Sequence, residues 1–225
     1  MALPASSPVV IHCQGILFDM DGILISSIGT VVRTWTNWAL MRGLDPKRTM
    51  EFAHGRRAIE TITTLCPDLD GEAELKMIED IEIADNDGLQ VLPGVPELLR
   101  SLPRERWTVV TSATERLARA RLAAGGVPLP EQLVTADRVT RGKPHPEPFL
   151  AGAALLGFAP QQCAVFEDSA SGTLAGREAG CTVIATTFSH PVESLEAAHY
   201  LVKDLTGVSA QAGAEGLTLR LMPLS

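Results

Sequence analysis

The stretch Leu17-Phe18-Asp19-Met20-Asp21-Gly22 sets two carboxylates one residue apart at the end of an apolar run, with a glycine directly behind them. Further on, Thr111 and Ser112 end a second apolar run, Glu167 and Asp168 end a third, and Lys143 stands between Gly142 and Pro144 in a proline-rich loop. Four segments thus offer three or four acids, a hydroxyl and an ammonium. Acids gathered so closely need a cation among them, and hard oxygen donors with few fixed protein contacts suit Mg2+. Lys143, the Ser112 hydroxyl and the amides opening the helix behind it would form an anion site. A metal, an anion site and a free carboxylate together describe phosphoryl transfer.

Each part has a plainer reading. Asp-x-Asp-Gly is a common turn sequence. Ser112 with Glu115 has the form of a capping box, Lys143 could be a solvated lysine, and Glu167 with Asp168 could simply favour the dipole of the following helix. The joint order and spacing favour the active-site reading, provided that the fold brings the four segments to one rim.

The elements around them support that condition. Short, β-branched-rich runs recur at 15–20, 107–112, 132–137, 163–168, 182–187 and 200–204, most of them continuous, as in strands buried on both faces. Helical stretches lie between them, and those ending at Gly157 and Gly180 close on a residue suited to a left-handed cap. The expected fold is α/β, a doubly wound parallel sheet of Rossmann-like type, in which ligands bind beyond the carboxyl ends of the strands. The alternating run 216–222 reads as an edge strand, and the first ten residues as a short loose tail.

Between residues 28 and 92 no strand is evident. Val31, Trp35, Trp38 and Ala39 fall at helical spacing, and further helical patterns cover Ala58 to Leu65 and Ala73 to Ala84. The division that follows is an α/β core, 1–27 and 93–225, carrying an inserted all-helical cap, 28–92, with Trp35 and Trp38 in the cap core. Pro93 and Gly94 mark re-entry to the core.

The 225 residues are 45% hydrophobic and 20% charged, ordinary values for a globular protein. With 19 basic and 27 acidic residues the net charge is −8, which argues against a nucleic-acid or anionic-membrane partner and leaves a small anionic substrate to be met by a local positive site. The four cysteines, Cys13, Cys66, Cys163 and Cys181, are scattered without metal spacing and read as reduced core thiols. No run is long enough to span a membrane and no signal peptide is evident, so the expected location is cytoplasmic; a monomer is the default.

The segments Phe-Asp-Met-Asp-Gly (18–22), Val-Val-Thr-Ser-Ala-Thr (109–114), Gly-Lys-Pro-His-Pro-Glu-Pro-Phe (142–149) and the run 165–180 resemble, in order, the signatures of the haloacid dehalogenase-like hydrolase superfamily. The resemblance implies that Asp19 is a nucleophile forming an aspartyl-phosphate and that Asp21 is the general acid and base. It implies Mg2+ held by Asp19, the backbone carbonyl of Asp21 and Asp168, with Glu167 a direct ligand or one layer out. Ser112, the Ala113 amide and Lys143 would hold the phosphoryl oxygens. Within the cap, residues 53–62 resemble the His-Gly-x-Arg-x-x-Asp stretch of the glycerol-phosphate and 2-deoxyglucose-6-phosphate phosphatases, which nominates His54, Arg57 and Glu60 for substrate choice, with Arg56 in reserve.

The family commonly reads Asp-Gly-Thr-Leu-x-Asp-Ser where this chain has Ile23 and Ser26. An apolar residue at the first of these also occurs in the related sugar-phosphate mutases, and the glycerol-phosphate subgroup likewise lacks the second aspartate. The function implied is a Mg2+-dependent phosphatase of a small phosphorylated polyol or sugar, with a mutase of the β-phosphoglucomutase type as the alternative. Dehalogenase chemistry and a non-catalytic binding role both fit less well, because Asp19, Asp21, Lys143 and Asp168 are all present.

Overall fold

The computed structural model describes residues 7–53 and 56–224. Its centre is a five-stranded parallel sheet. Strands β1 (Val9–Cys13), β2 (Gly15–Phe18) and β3 (Ile25–Ser26) are followed by four helices, α1 (Ile28–Met41), α2 (Pro46–Ala53), α3 (Ala58–Leu65) and α4 (Gly71–Ala84). The chain returns through β4 (Gln90–Val91) and α5 (Val95–Ser101) to β5 (Trp107–Val109), α6 (Glu115–Ala124) and α7 (Glu147–Leu156). It ends with β6 (Cys163–Glu167), α8 (Ala170–Glu178), β7 (Thr182–Thr186), β8 (Tyr200–Val202), β9 (Val208–Gly213) and β10 (Gly216–Leu221). The main sheet has the order β5-β2-β6-β7-β8, and β3 pairs with β4 in a short antiparallel ribbon at the foot of the four-helix segment.

Register explains why the acids meet. Phe18 is level with Val109 on one side and Phe166 on the other, so the residues one step beyond, Asp19, Val110 and Glu167, leave the sheet at the same height. Central β2 and β6 are buried along their whole length, as continuous apolar runs require. Phe18 stacks on Phe166 with centroids 5.2 Å apart and meets Trp107 edge-on at 6.0 Å, locking the three strands side to side. Such packing immobilises the strand ends from which the acids project.

Four expectations need correction, the first being the absence of a strand between residues 28 and 92: Gln90–Val91 forms β4, a two-residue strand too short to leave a periodic signal. Residues 132–137 form no strand beyond a single parallel bridge between Val134 and Val110, because Pro130 precedes the segment and a 3-10 turn at Ala136–Arg138 follows it. The run 216–222 is no edge strand: β10 is the middle of a second, antiparallel sheet, β1-β10-β9. Alternation, with Leu217, Leu219 and Leu221 buried, reports which face is covered and not the position in the order. The supposed tail is ordered from Val9 onward as β1, whose few buried positions give a weak hydrophobic signal.

The helical segment has its own small core of Trp35, Trp38, Ile62 and Ile78, with the two indoles edge-on at 5.5 Å. Trp38 Nε1 donates to Glu74, which also receives Arg42, so the one polar atom of that indole is satisfied. Gly157 caps α7 in the left-handed region, φ 76°, as expected.

All four cysteines are free thiols. Burial pushes Cys13 and Cys181 up to about 12 and Cys163 up to about 11, leaving almost no thiolate at neutral pH. Titration of the native protein with 5,5′-dithiobis(2-nitrobenzoate) at pH 8 is expected to modify half-buried Cys66 alone, the other three reacting only after denaturation. Rapid reaction of a second thiol in native protein contradicts the burial.

Candidate active site

Lys143 reaches the carboxyl end of the sheet from the loop before α7, and its side chain is 3% exposed. Its Nζ donates to Asp19 Oδ1 at 2.7 Å, Glu167 Oε1 at 2.6 Å and the Val110 carbonyl at 3.1 Å. The other oxygen of Glu167 accepts from the amides of Asp168 and Ser169, at 2.8 and 2.9 Å, and from the Ser169 hydroxyl at 2.9 Å. Asp168 receives the hydroxyl of Ser189 on Oδ2. Oxygens of Asp19, Glu167 and Asp168 lie within 4.8 Å of one another, a group able to surround a cation.

The cluster carries more negative than positive charge. Burial raises Asp19 to about 7, with Glu167 and Asp21 adding to the effect and Lys143 opposing it. Burial likewise holds Asp168 well above the ordinary carboxyl value, helped by the charges of Glu167 and Asp19. For Glu167, burial is outweighed by Lys143 and the two amides, which keep its carboxyl low. Burial works against the charge of Lys143 too, but Asp19 and Glu167 prevail and raise it.

Two glycines permit this crowding. A Cβ on Gly22, whose φ is +82°, would stand 1.7 Å from Asp168 Oδ2, and one on Gly172 would stand 1.7 Å from Glu167 Oε1. Ile23 is buried in the main core, so the departure from the usual threonine lies under the loop, outside the lining of the cavity. Ser26 is buried as well, in β3.

A cavity of about 340 Å³ opens over the cluster. Its walls include Asp19, Asp21, Ser112, Ala113, Lys143, Glu167 and Asp168, which places the seven core residues nominated from sequence around one space. Ser112 is not the helix cap: Thr114 caps α6, accepting from the Leu117 amide. The Ala113 amide donates to Thr111 Oγ1 at 3.1 Å.

The cap nominations divide. Arg56 lines the cavity and lies over the Phe52 ring. Arg57 and Glu60 pair with each other outside that lining, and Arg57 donates to the carbonyls of Val139 and Thr140 at 3.1 and 3.0 Å, clamping α3 to the core loop. His54 lies outside the described residues.

Sequence reasoning missed Ser27, Glu82, Arg121 and Ser189 as lining residues. Arg121 had a legible signal, since it is an arginine on the face of α6 that buries Leu117, Ala118 and Leu122. The others carried none.

The parallel sheet and the acidic, lysine-bearing cavity at its carboxyl edge define an α/β enzyme of the hydrolase class. The sequence profile of haloacid dehalogenase-like hydrolases matches residues 13–180, and the chain belongs to that family. It is 45% identical to Hexitol phosphatase A of Escherichia coli over 77% of this chain and 83% of that protein. Identity to Glycerol-1-phosphate phosphohydrolase 2 of Saccharomyces cerevisiae is 32%, over 81% and 79% of the two chains. Among solved structures, a hydrolase from Pseudomonas syringae superimposes with a TM-score of 0.75 at 26% identity, covering 85% of this chain and 93% of that one. No described helix is long and apolar enough to cross a membrane.

The charge imbalance has a pH signature. Asp19 has a folded pKa of about 7 against an ordinary 3.8, so the folded state binds its proton more tightly than the unfolded chain does. The contribution of Asp19 to stability is therefore fully present below the lower value and is lost as pH rises through the higher. Urea unfolding in EDTA is expected to show stability falling by about 2–4 kcal/mol between pH 5 and pH 8. A metal-free protein equally stable or more stable at pH 8 contradicts this account.

Proposed function

We propose that the protein is a Mg2+-dependent phosphatase of small phosphorylated polyols or sugars that works through an aspartyl-phosphate on Asp19. The observation that carries the reading is the placement of Asp19: rigidly held, beside a buried ammonium and two further acids, and facing the cavity. The named phosphatase relatives, acting on hexitol phosphate and glycerol 1-phosphate, support the substrate class.

The donor set fits the metal. Three buried carboxylates share one ammonium, which leaves uncompensated negative charge among hard oxygens. Asp19, the Asp21 carbonyl and Asp168 would hold Mg2+, which supplies neutralising charge for the phosphoryl group and its acceptor carboxylate. Glu167 would act one layer out, since both its oxygens are engaged by Lys143, Ser169 and the Asp168 amide.

In the first displacement Asp19 attacks phosphorus while Asp21 gives a proton to the leaving oxygen. In the second, Asp21 takes a proton from the water that cleaves the aspartyl-phosphate. Lys143, the Ser112 hydroxyl and the Ala113 amide hold the equatorial oxygens through both steps. Residues 28–92 serve as the cap over a core of 1–27 and 93–225, supplying Val31, Val32, Trp35, Met50 and Arg56 to the cavity wall and excluding bulk water. A space of about 340 Å³ suits one small phosphorylated metabolite.

A screen of phosphorylated metabolites with Mg2+, scored by kcat/KM, is expected to rank polyol and hexose phosphates, including glycerol 1-phosphate and 2-deoxyglucose 6-phosphate, above unrelated esters. Asp19→Asn should abolish turnover, by at least about 10³-fold, with p-nitrophenyl phosphate as with the best substrate. Retained activity in that variant sinks the covalent mechanism. Release of inorganic phosphate distinguishes the phosphatase from the β-phosphoglucomutase alternative, whose product would be a second hexose phosphate.

A further inference from the structure

Arg121 sits on the third turn of α6 and is 5% exposed, unusually deep for an arginine. Its Nη1 donates to both oxygens of Asp21, at 3.2 and 3.1 Å. Its Nη2 lies 3.2 Å from Oε2 of Glu82, a buried carboxylate on α4. Ser27 completes the surroundings of Asp21, donating to Oδ1 at 2.5 Å. We propose that Arg121 is a positioning residue for Asp21, held in turn by Glu82, so that a carboxylate from the four-helix segment orients the general acid and base of the core.

A simple strut between α4 and α6 would look different. Those helices are already tied at their rim, where Arg116 pairs with Glu79 and Asp80 and Thr114 donates to Glu79. Arg121 lies deeper, on the cavity wall, and its aligned hydrogen bonds go to Asp21. The contact with Glu82 is a charge contact alone: Arg121 Nη2 and Glu82 Oε1 have no hydrogen-bond partner, though both are buried. A buried ion pair aligned so poorly is a weak source of stability. It does set the guanidinium, and hence the Asp21 carboxyl, wherever Glu82 stands. Loss of Glu82 from its place would leave Arg121 held only by Asp21, coupling the position of the helical segment to the orientation of the proton-transfer group.

The inference rests on the phosphatase reading, and its test separates the two. Release of p-nitrophenolate needs little proton donation, whereas release of a glycerol alkoxide needs a well-placed acid. The kcat/KM for each ester reports steps up to phosphoryl transfer to Asp19 and excludes the later hydrolysis. In Arg121→Gln, kcat/KM for glycerol 1-phosphate should fall about 30-fold or more, with the loss for p-nitrophenyl phosphate at least about tenfold smaller. Glu82→Gln should move the ratio in the same direction by a smaller factor. Arg121→Lys, which keeps the charge but cannot span both carboxylates, should be intermediate, and it serves as the readout if Arg121→Gln does not fold. Parallel losses for the two esters, or an unchanged ratio in an active variant, overturn the positioning role while leaving the phosphatase intact. A wild-type protein that hydrolyses no alkyl phosphate overturns the phosphatase reading and this inference with it.

Discussion

Asp19, Glu167 and Asp168 converge at the carboxyl edge of the sheet around the buried ammonium of Lys143. Charges this deep are unfavourable unless paired and hydrogen-bonded, and here the pairing is incomplete by design of the neighbourhood: three acids, one lysine. Much else in the core follows from satisfying that arrangement. The amides of Asp168 and Ser169 point at Glu167, Ser189 serves Asp168, and Gly22 and Gly172 stand where any side chain would collide with a carboxylate. The remaining imbalance leaves negative charge among oxygens close enough to surround a cation, with the Ser112 and Ala113 segment beside them on the same cavity wall.

The two sides of the cavity are held differently. The strand ends are clamped by Phe18, Phe166 and Trp107, so Asp19 has little freedom. The opposite wall of the cavity comes from helices joined to the sheet through the two-residue strands β3 and β4 and through side-chain ties to α6 and the 136–140 loop. Asp21 lies between the two regimes. It is fixed to the core by its place after Asp19, yet its carboxyl is held by Arg121, which also faces Glu82 of the helical segment. The Asp21 carboxyl is thus the part of the acidic cluster tied most directly, through Arg121, to the helical side.

The acids and Ser112 were readable because they are polar types at the ends of apolar runs, and in a parallel sheet such ends share one edge, whereas Lys143 was read from its loop and Ala113 only from its place after Ser112. The residues of the helical wall were less so. Arg57 and Glu60 occupy a recognisable stretch but bond to each other and to loop carbonyls, a choice settled by how α3 meets the core. Glu82 lies in an acidic helix where nothing local distinguishes it from exposed neighbours such as Asp80. Strand β1 and the central place of β10 were missed for a related reason: partners separated by some 200 residues leave no mark on local periodicity.

By itself the sequence determined the alternation of strand and helix, the strand ends that carry acids, and the helical character of the segment between β3 and β4, because burial and helical spacing are properties of local residue order. Only the tertiary structure decided that Lys143 bonds to Asp19 and Glu167 together, that Thr114 and not Ser112 caps α6, and that Arg121 reaches Asp21. Those contacts join residues 24 to 124 positions apart, or depend on where one helix begins. Their energies come from burial and geometry in three dimensions, which no stretch of the chain contains alone.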